Sequence, residues 1–91
     1  MAFTAHFQPK GLNTAKYDEV IRRLQQAGAG APAGRLGHLC FGPTDALQVI
    51  DIWDTPENLQ AFGATLFPIL AEVGVDPGQP EIQPLHNEIK G

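Results

Sequence analysis

Three histidines and one mid-strand carboxylate are the residues of this sequence best suited to acid–base chemistry: His6, His38, His86 and Asp51. Histidine titrates near neutral pH, and an adjacent carboxylate would set the tautomer of its ring. The four residues are widely spaced, with no H-x-H or H-x-x-x-H pair, so the sequence predicts no metal site. We interpret them as candidate catalytic acids and bases. The alternative is that they are hydrogen-bonded residues of an interface and perform no chemistry.

Aromatic residues offer candidate packing surfaces for a flat substrate. Trp53 stands where a predicted strand ends, and Phe41 and Phe62 lie on neighbouring elements. The alternative for Trp53 is a structural role beneath the start of the second helix. The single cysteine, Cys40, is interpreted as an inert core thiol. The sequence contains no G-x-S-x-G, C-x-x-C or G-x-G-x-x-G motif, which leaves triad hydrolase, thiol redox and dinucleotide-binding functions without support.

Length and charge restrict the class of protein. The 91 residues predict one domain spanning 1–91. A formal net charge of −4 argues against a nucleic-acid partner, which requires clustered Lys and Arg. No apolar run approaches the roughly 20 residues of a membrane span, and the first residues do not resemble a signal peptide. One cysteine favours a reducing compartment, so we expect a cytoplasmic location and no membrane partner.

Hydrophobic periodicity predicts four strands and two helices. A helix is expected after the cap residue Asn13, and a second helix from Thr55-Pro56 to Gly74, with a kink or break near 65–67 because of Pro68. Strands are predicted over residues 2–8, 35–42, 46–53 and 80–87, the middle two forming a hairpin. The order β-α-β-β-α-β predicts a ferredoxin-like α+β fold, an antiparallel sheet with both helices on one face.

Alternation along the strands divides their residues between the two faces of this sheet. We expect the helix-covered face to carry the more apolar set: Phe3, Ala5, Phe7, Leu39, Phe41, Ile50, Ile52 and Leu85. The other set includes all three histidines, Asp51 and Trp53, and we expect it on the helix-free face. Because that set is too apolar for water, we predict a homodimer formed through the helix-free face, around a small polar cavity.

Residues 49–62, V-I-D-I-W-D-T-P-E-N-L-Q-A-F, resemble the dimeric α+β barrel superfamily, and within it the small antibiotic-biosynthesis-monooxygenase-like domains. The shared features are Trp53 ending the third strand, the cap at Thr55, and the aromatic Phe62. The closing L-H-N of residues 85–87 is similar to a group of uncharacterised bacterial, largely actinobacterial, proteins. The resemblance implies two protomers with their sheets packed face to face. Its members include cofactor-free monooxygenases, haem-degrading enzymes, lactone isomerases and proteins with no known activity.

Two functions follow from these observations. The first is a cofactor-free monooxygenase- or isomerase-like enzyme acting on a flat aromatic or polyketide-like small molecule. It predicts an enclosed cavity of a few hundred Å³, lined by at least two histidines. Haem-degrading relatives carry an Asn on the first strand and a His on the second helix; this chain has His6 and no His between 55 and 74, so no cofactor is expected. The second is a non-catalytic dimeric binding or stress-related accessory protein.

Overall fold

A computed structural model describes all residues, 1–91. The predicted order β-α-β-β-α-β is confirmed, and the elements are β1 (Phe3–Phe7), α1 (Thr14–Gln26), β2 (Arg35–Phe41), β3 (Gln48–Trp53), α2 (Pro56–Val73) and β4 (Glu81–Pro84). The strands form one antiparallel sheet in the order β2-β3-β1-β4. This is the ferredoxin-like arrangement that the sequence predicts.

Both helices begin at the predicted caps. The Asn13 side chain accepts the backbone N–H of Lys16 at 2.8 Å, and the Thr55 hydroxyl accepts that of Asn58 at 3.2 Å. Each bond satisfies an N–H of the first turn that has no partner inside the helix. Helix α2 ends at Gly74, whose φ of 82° is readily adopted only by glycine.

Of the kink or break predicted near residues 65–67, the break is wrong, because α2 runs through Pro68 without interruption. Proline cannot donate to the carbonyl of Ala64, so this part of the helix has one fewer hydrogen bond. Phe62 and Leu70, on either side of Pro68, are both buried in the core. Their burial stabilises the continuous helix against the loss of that single bond.

The pairing of β1 with β3 corrects the predicted division of faces. Phe3 lies opposite Trp53, and Ala5 lies opposite Asp51. Directly opposed residues of an antiparallel pair share a face, so Asp51 and Trp53 lie under the helices with the buried side of β1. His38 pairs with Asp51 and lies on the same side.

The helix-free face is therefore more apolar than predicted. It carries Leu39, Phe41, Ile50 and Ile52 beside Thr4 and His6. The alternation in β2 and β3 was read correctly, but both sides of these strands contain large apolar residues. Alternation alone cannot say which side meets the helices; the register against β1 decides that.

The core lies between the helices and the sheet and forms one cluster of 11 buried residues, in which Trp53 is fully buried. Beyond β4 the chain continues as an exposed tail, residues 86–91. No helix in the fold has both the length and the apolar character needed to cross a bilayer.

Candidate acid–base site

A chain of three polar side chains crosses the space between α1 and the sheet. Asp51 Oδ1 lies 2.5 Å from His38 Nδ1, and His38 Nε2 lies 2.7 Å from the hydroxyl of Tyr17. His38 and Asp51 are cross-strand neighbours on β2 and β3, while α1 brings Tyr17 over them from above. The phenol and imidazole rings are nearly parallel, with 10° between their planes.

The two partners of His38 set the tautomer of its ring. The Asp51 carboxylate can only accept hydrogen bonds, so we assign the ring hydrogen to His38 Nδ1, which donates it to Asp51. Nε2 of the neutral ring then accepts the Tyr17 hydroxyl. Asp51 is 4% exposed, and its side chain makes no other hydrogen bond within the chain. The arrangement has the geometry of a general base, with Asp51 holding the ring through Nδ1 and Nε2 left as the atom that can accept a proton.

Burial raises the pKa of the Tyr17 phenol above its usual value near 10, since the phenolate would lose solvation between helix and sheet. The negative charges that Cys40 and Asp51 can carry raise the pKa further, while the Arg35 guanidinium lowers it. At neutral pH Tyr17 is therefore a hydrogen-bond donor to His38 and not a base.

These side chains form part of the wall of a small, partly open cavity, called here the inner cavity, with a volume of about 70 Å³. Most of its wall is apolar, and Tyr17, Arg35, His38 and Asp51 supply the polar part. The Arg35 guanidinium lies 5.7 Å above the ring of Phe62, a cation–π distance. Ligand sites usually measure about 300–1,000 Å³, so this space holds a few waters and not an aromatic ring. Within the single chain no cavity is lined by two of the three histidines, and this one contains only His38.

Three of the seven residues singled out from the sequence lie together: His38, Asp51 and Phe62 all line the inner cavity. Trp53 packs against Phe62, with ring centroids 5.5 Å apart, but is fully buried and lines no open space. Its indole N–H has no hydrogen-bond partner in the chain.

The other residues lie elsewhere. His6 and Phe41 stack on each other on the helix-free face, with centroids 6.1 Å apart, and His6 Nε2 lies 2.8 Å from the side-chain oxygen of Gln48. His86 lies in the exposed tail. The expected convergence of the three histidines is therefore wrong, and nowhere do three His, Cys, Asp or Glu side chains come close enough to share a metal ion.

Tyr17 and Arg35 are the residues of this site that the sequence did not indicate. Tyr17 falls on the apolar stripe of α1, where we interpreted it as a core residue. The signal was its hydroxyl, because a tyrosine buried under a sheet needs a polar partner there. Arg35 begins β2, and only the tertiary structure brings it over Phe62.

Solved structures of other proteins share this architecture. No protein-family model matches the sequence, and no curated protein does. Among solved structures, SnoaB, a cofactor-independent oxygenase from Streptomyces nogalater, is similar over 99% of this chain and 96% of its own, with a TM-score of 0.62 and 14% identity. A candidate antibiotic biosynthesis monooxygenase from Chloroflexus aurantiacus is similar over 98% and 95% of the two chains, with a TM-score of 0.61 and 15% identity. The chain shares the ferredoxin-like α+β fold of these two structures. A protein of unknown function from Nitrosomonas europaea is similar over 99% of this chain and 93% of its own, with a TM-score of 0.58 and 17% identity.

This shared fold confirms, at the level of architecture, the resemblance drawn from residues 49–62. At these identities it shows the architecture alone, since one fold carries many chemistries. The chemistry available to this chain is that of Tyr17, His38 and Asp51.

Proposed function

We propose that the chain is a cofactor-free enzyme of the monooxygenase type, which removes a proton from a flat, hydroxyl-bearing aromatic molecule and lets the product react with O₂. The observation that supports it most directly is the half-buried hydrogen-bonded chain of Asp51, His38 and Tyr17 at the wall of the inner cavity. A carboxylate–imidazole pair held under apolar residues is the arrangement that general-base catalysis requires. We take the reaction class from SnoaB, a cofactor-independent oxygenase of the same architecture.

In the proposed reaction His38 Nε2 takes the proton, and Asp51 stabilises the imidazolium through Nδ1–H. The electron-rich substrate anion transfers electrons to O₂ and forms a carbon–oxygen bond. The O–O bond then breaks: one oxygen atom remains on the ring carbon as a carbonyl, and the substrate's own hydroxyl oxygen becomes the second carbonyl of a quinone. The other oxygen atom leaves as water with the proton that His38 took from the hydroxyl and the one hydrogen lost from that carbon. Tyr17, freed from Nε2 by the substrate, donates its hydroxyl to the oxygen on which negative charge develops.

Oxygen uptake tests this proposal, with a panel of two- and three-ring aromatic alcohols and anthrones as substrates. His38→Gln and Asp51→Asn keep the size of the side chains but remove the base and its counter-charge. Loss of general-base catalysis should lower kcat/KM by about 10²–10⁴-fold. His86→Gln makes the same chemical change in the exposed tail and should leave the rate unchanged. Equal rates for His38→Gln and the wild type would refute the role of His38.

We also propose that two copies of the chain pack through the helix-free face. Leu39 and Phe41 on that face are 63% and 39% exposed, and Ile50 and Ile52 lie beside them. A contiguous apolar surface of this kind favours a partner, and the small size of the domain favours added burial. Light scattering should give a dimer for the wild type and a monomer for Leu39→Lys. A wild-type monomer at micromolar concentration would contradict the proposal.

The small volume of the inner cavity favours a second candidate, a non-catalytic dimeric binding or accessory protein. In that case the Asp51–His38–Tyr17 chain would serve only to fix α1 on the sheet. His38→Gln would then lower thermal stability, and no aromatic alcohol would raise oxygen uptake above that of a protein-free control.

A further inference from the structure

Beside the inner cavity lies a second space, called here the edge groove, between α2 and the β1–β4 edge of the sheet. Its volume is about 510 Å³, and its apolar walls include Phe3, Phe7, Leu59, Phe67, Pro77 and Ile82. This volume lies within the usual range of about 300–1,000 Å³ for small-molecule sites. Its wall contains no titratable residue. The groove therefore has room for an aromatic molecule but no group that could move a proton.

The inner cavity has the opposite properties, with proton-transferring groups and too little room. The two spaces share three wall residues: Phe7, Phe67 and Pro77. Phe7 is a buried strand residue, 7% exposed, and Pro77 has a rigid ring. Phe67 is 46% exposed, so its ring is the part of the shared wall that can leave without opening the core.

The Phe67 ring packs against the surface of α2 at Gly63. Residue 63 is glycine in the middle of α2, although glycine destabilises a helix interior relative to alanine. A Cβ at Gly63 would lie 2.8 Å from Cε2 of Phe67, closer than carbon atoms approach. The ring therefore packs directly on the helix backbone, in a position that any side chain at residue 63 would obstruct. Pro68 follows directly and leaves the Ala64 carbonyl without its helix donor, which reduces the bonding that resists local movement.

We infer that Phe67 is a gate between the edge groove and the inner cavity, and that the two spaces join into one site when its ring swings out. The ligand that fits this joined site is an uncharged, flat, two- or three-ring aromatic with one acidic hydroxyl. Its rings occupy the edge groove, where no charge meets them, and its hydroxyl reaches past Phe67 to Tyr17 and His38. This inference rests on the proposed function for the role of the hydroxyl, but the gate itself concerns binding.

The test measures binding of 1-naphthol and naphthalene by calorimetry, without turnover. A conformation that is about 10% populated weakens apparent affinity about tenfold, so Phe67→Ala should tighten naphthol binding by about that factor. Gly63→Ala removes no atom and displaces the same ring, so its Kd should shift in the same direction. Leu36→Ala truncates an apolar side chain of similar exposure, 48%, that lines neither space, and should bind as the wild type does. Circular dichroism confirms that each variant is folded.

The hydroxyl end of the site has its own measurement. In Phe67→Ala, naphthol should bind more tightly than naphthalene, and the added change His38→Gln should remove that preference. Unchanged naphthol affinity in both Phe67→Ala and Gly63→Ala, or no binding to any variant, would overturn the gate. Tightened binding without any oxygen uptake would leave the gate standing and remove the proposed oxygenation, so the two failures are distinguishable.

Discussion

Replacing His38 by alanine should be among the most destabilising changes at this site, because it leaves a charge buried without its partner. The Asp51 side chain is 6% exposed and hydrogen-bonds only to His38 within the chain. Removing one partner of a buried pair typically costs about 3–5 kcal/mol, and we expect about 3 kcal/mol for His38→Ala. Asp51→Ala should cost less, about 1–2 kcal/mol, because His38 keeps Tyr17 and its partly exposed ring can reach water.

The double variant His38→Ala/Asp51→Ala isolates the pair. With both groups removed, no unpaired charge remains, so the double variant should be more stable than the sum of the single losses predicts, by at least about 1 kcal/mol. Urea unfolding followed by circular dichroism gives each free energy, at one fixed protein concentration because any dimer makes stability concentration-dependent. For a domain of this size 1 kcal/mol corresponds to about 4–8 °C in Tm, which scanning calorimetry resolves. Losses that add within about 0.5 kcal/mol would refute the interaction between the two side chains.

Two further predictions follow from single residues. Tyr17 is the only tyrosine, so absorbance at alkaline pH reports its ionisation alone; the midpoint should lie above 10, and Asp51→Asn should lower it. Because the folded-state pKa is the higher one, this group's contribution to stability is complete below pH 10 and declines as pH rises through the folded value. Gly34→Ala should cost about 2 kcal/mol or more, since φ is +85° and the new Cβ would overlap the side chains of Asp54 and Asn58. Thermal unfolding measures this loss, and an unchanged Tm would contradict it.

Local sequence signals predicted the elements well, because their causes act within a few residues. Asn13 and Thr55 accept first-turn N–H groups three residues ahead, and Gly74 adopts a left-handed conformation that needs no distant partner. The order of these elements then leaves few ways to form a sheet, which is why the ferredoxin-like topology was predictable. The break predicted at Pro68 does not occur, because the effect of this proline depends on tertiary contacts. The packing of Phe62 and Leu70 in the core holds the helix together on both sides of it.

The candidate site was only partly predictable. His38 and Asp51 were identified as chemically useful, but they were grouped with His6, which lies on the opposite face. Alternation relates residues within a strand, whereas the face that a strand presents to the helices depends on its register with β1. Tyr17 was missed because periodicity records only that a position is apolar.

By itself, the sequence determined the strands, the helices and their caps, the absence of clustered basic charge, and the residue types able to move a proton. Only the tertiary structure decided that Asp51 and His38 meet Tyr17 beneath the helices, and that Phe67 stands between them and the edge groove. The physical reason is the distance along the chain over which each interaction acts. Capping and periodicity act over a few residues, but the hydrogen bond between Tyr17 and His38 joins positions 21 apart, and the contact exists only once α1 has packed on the sheet.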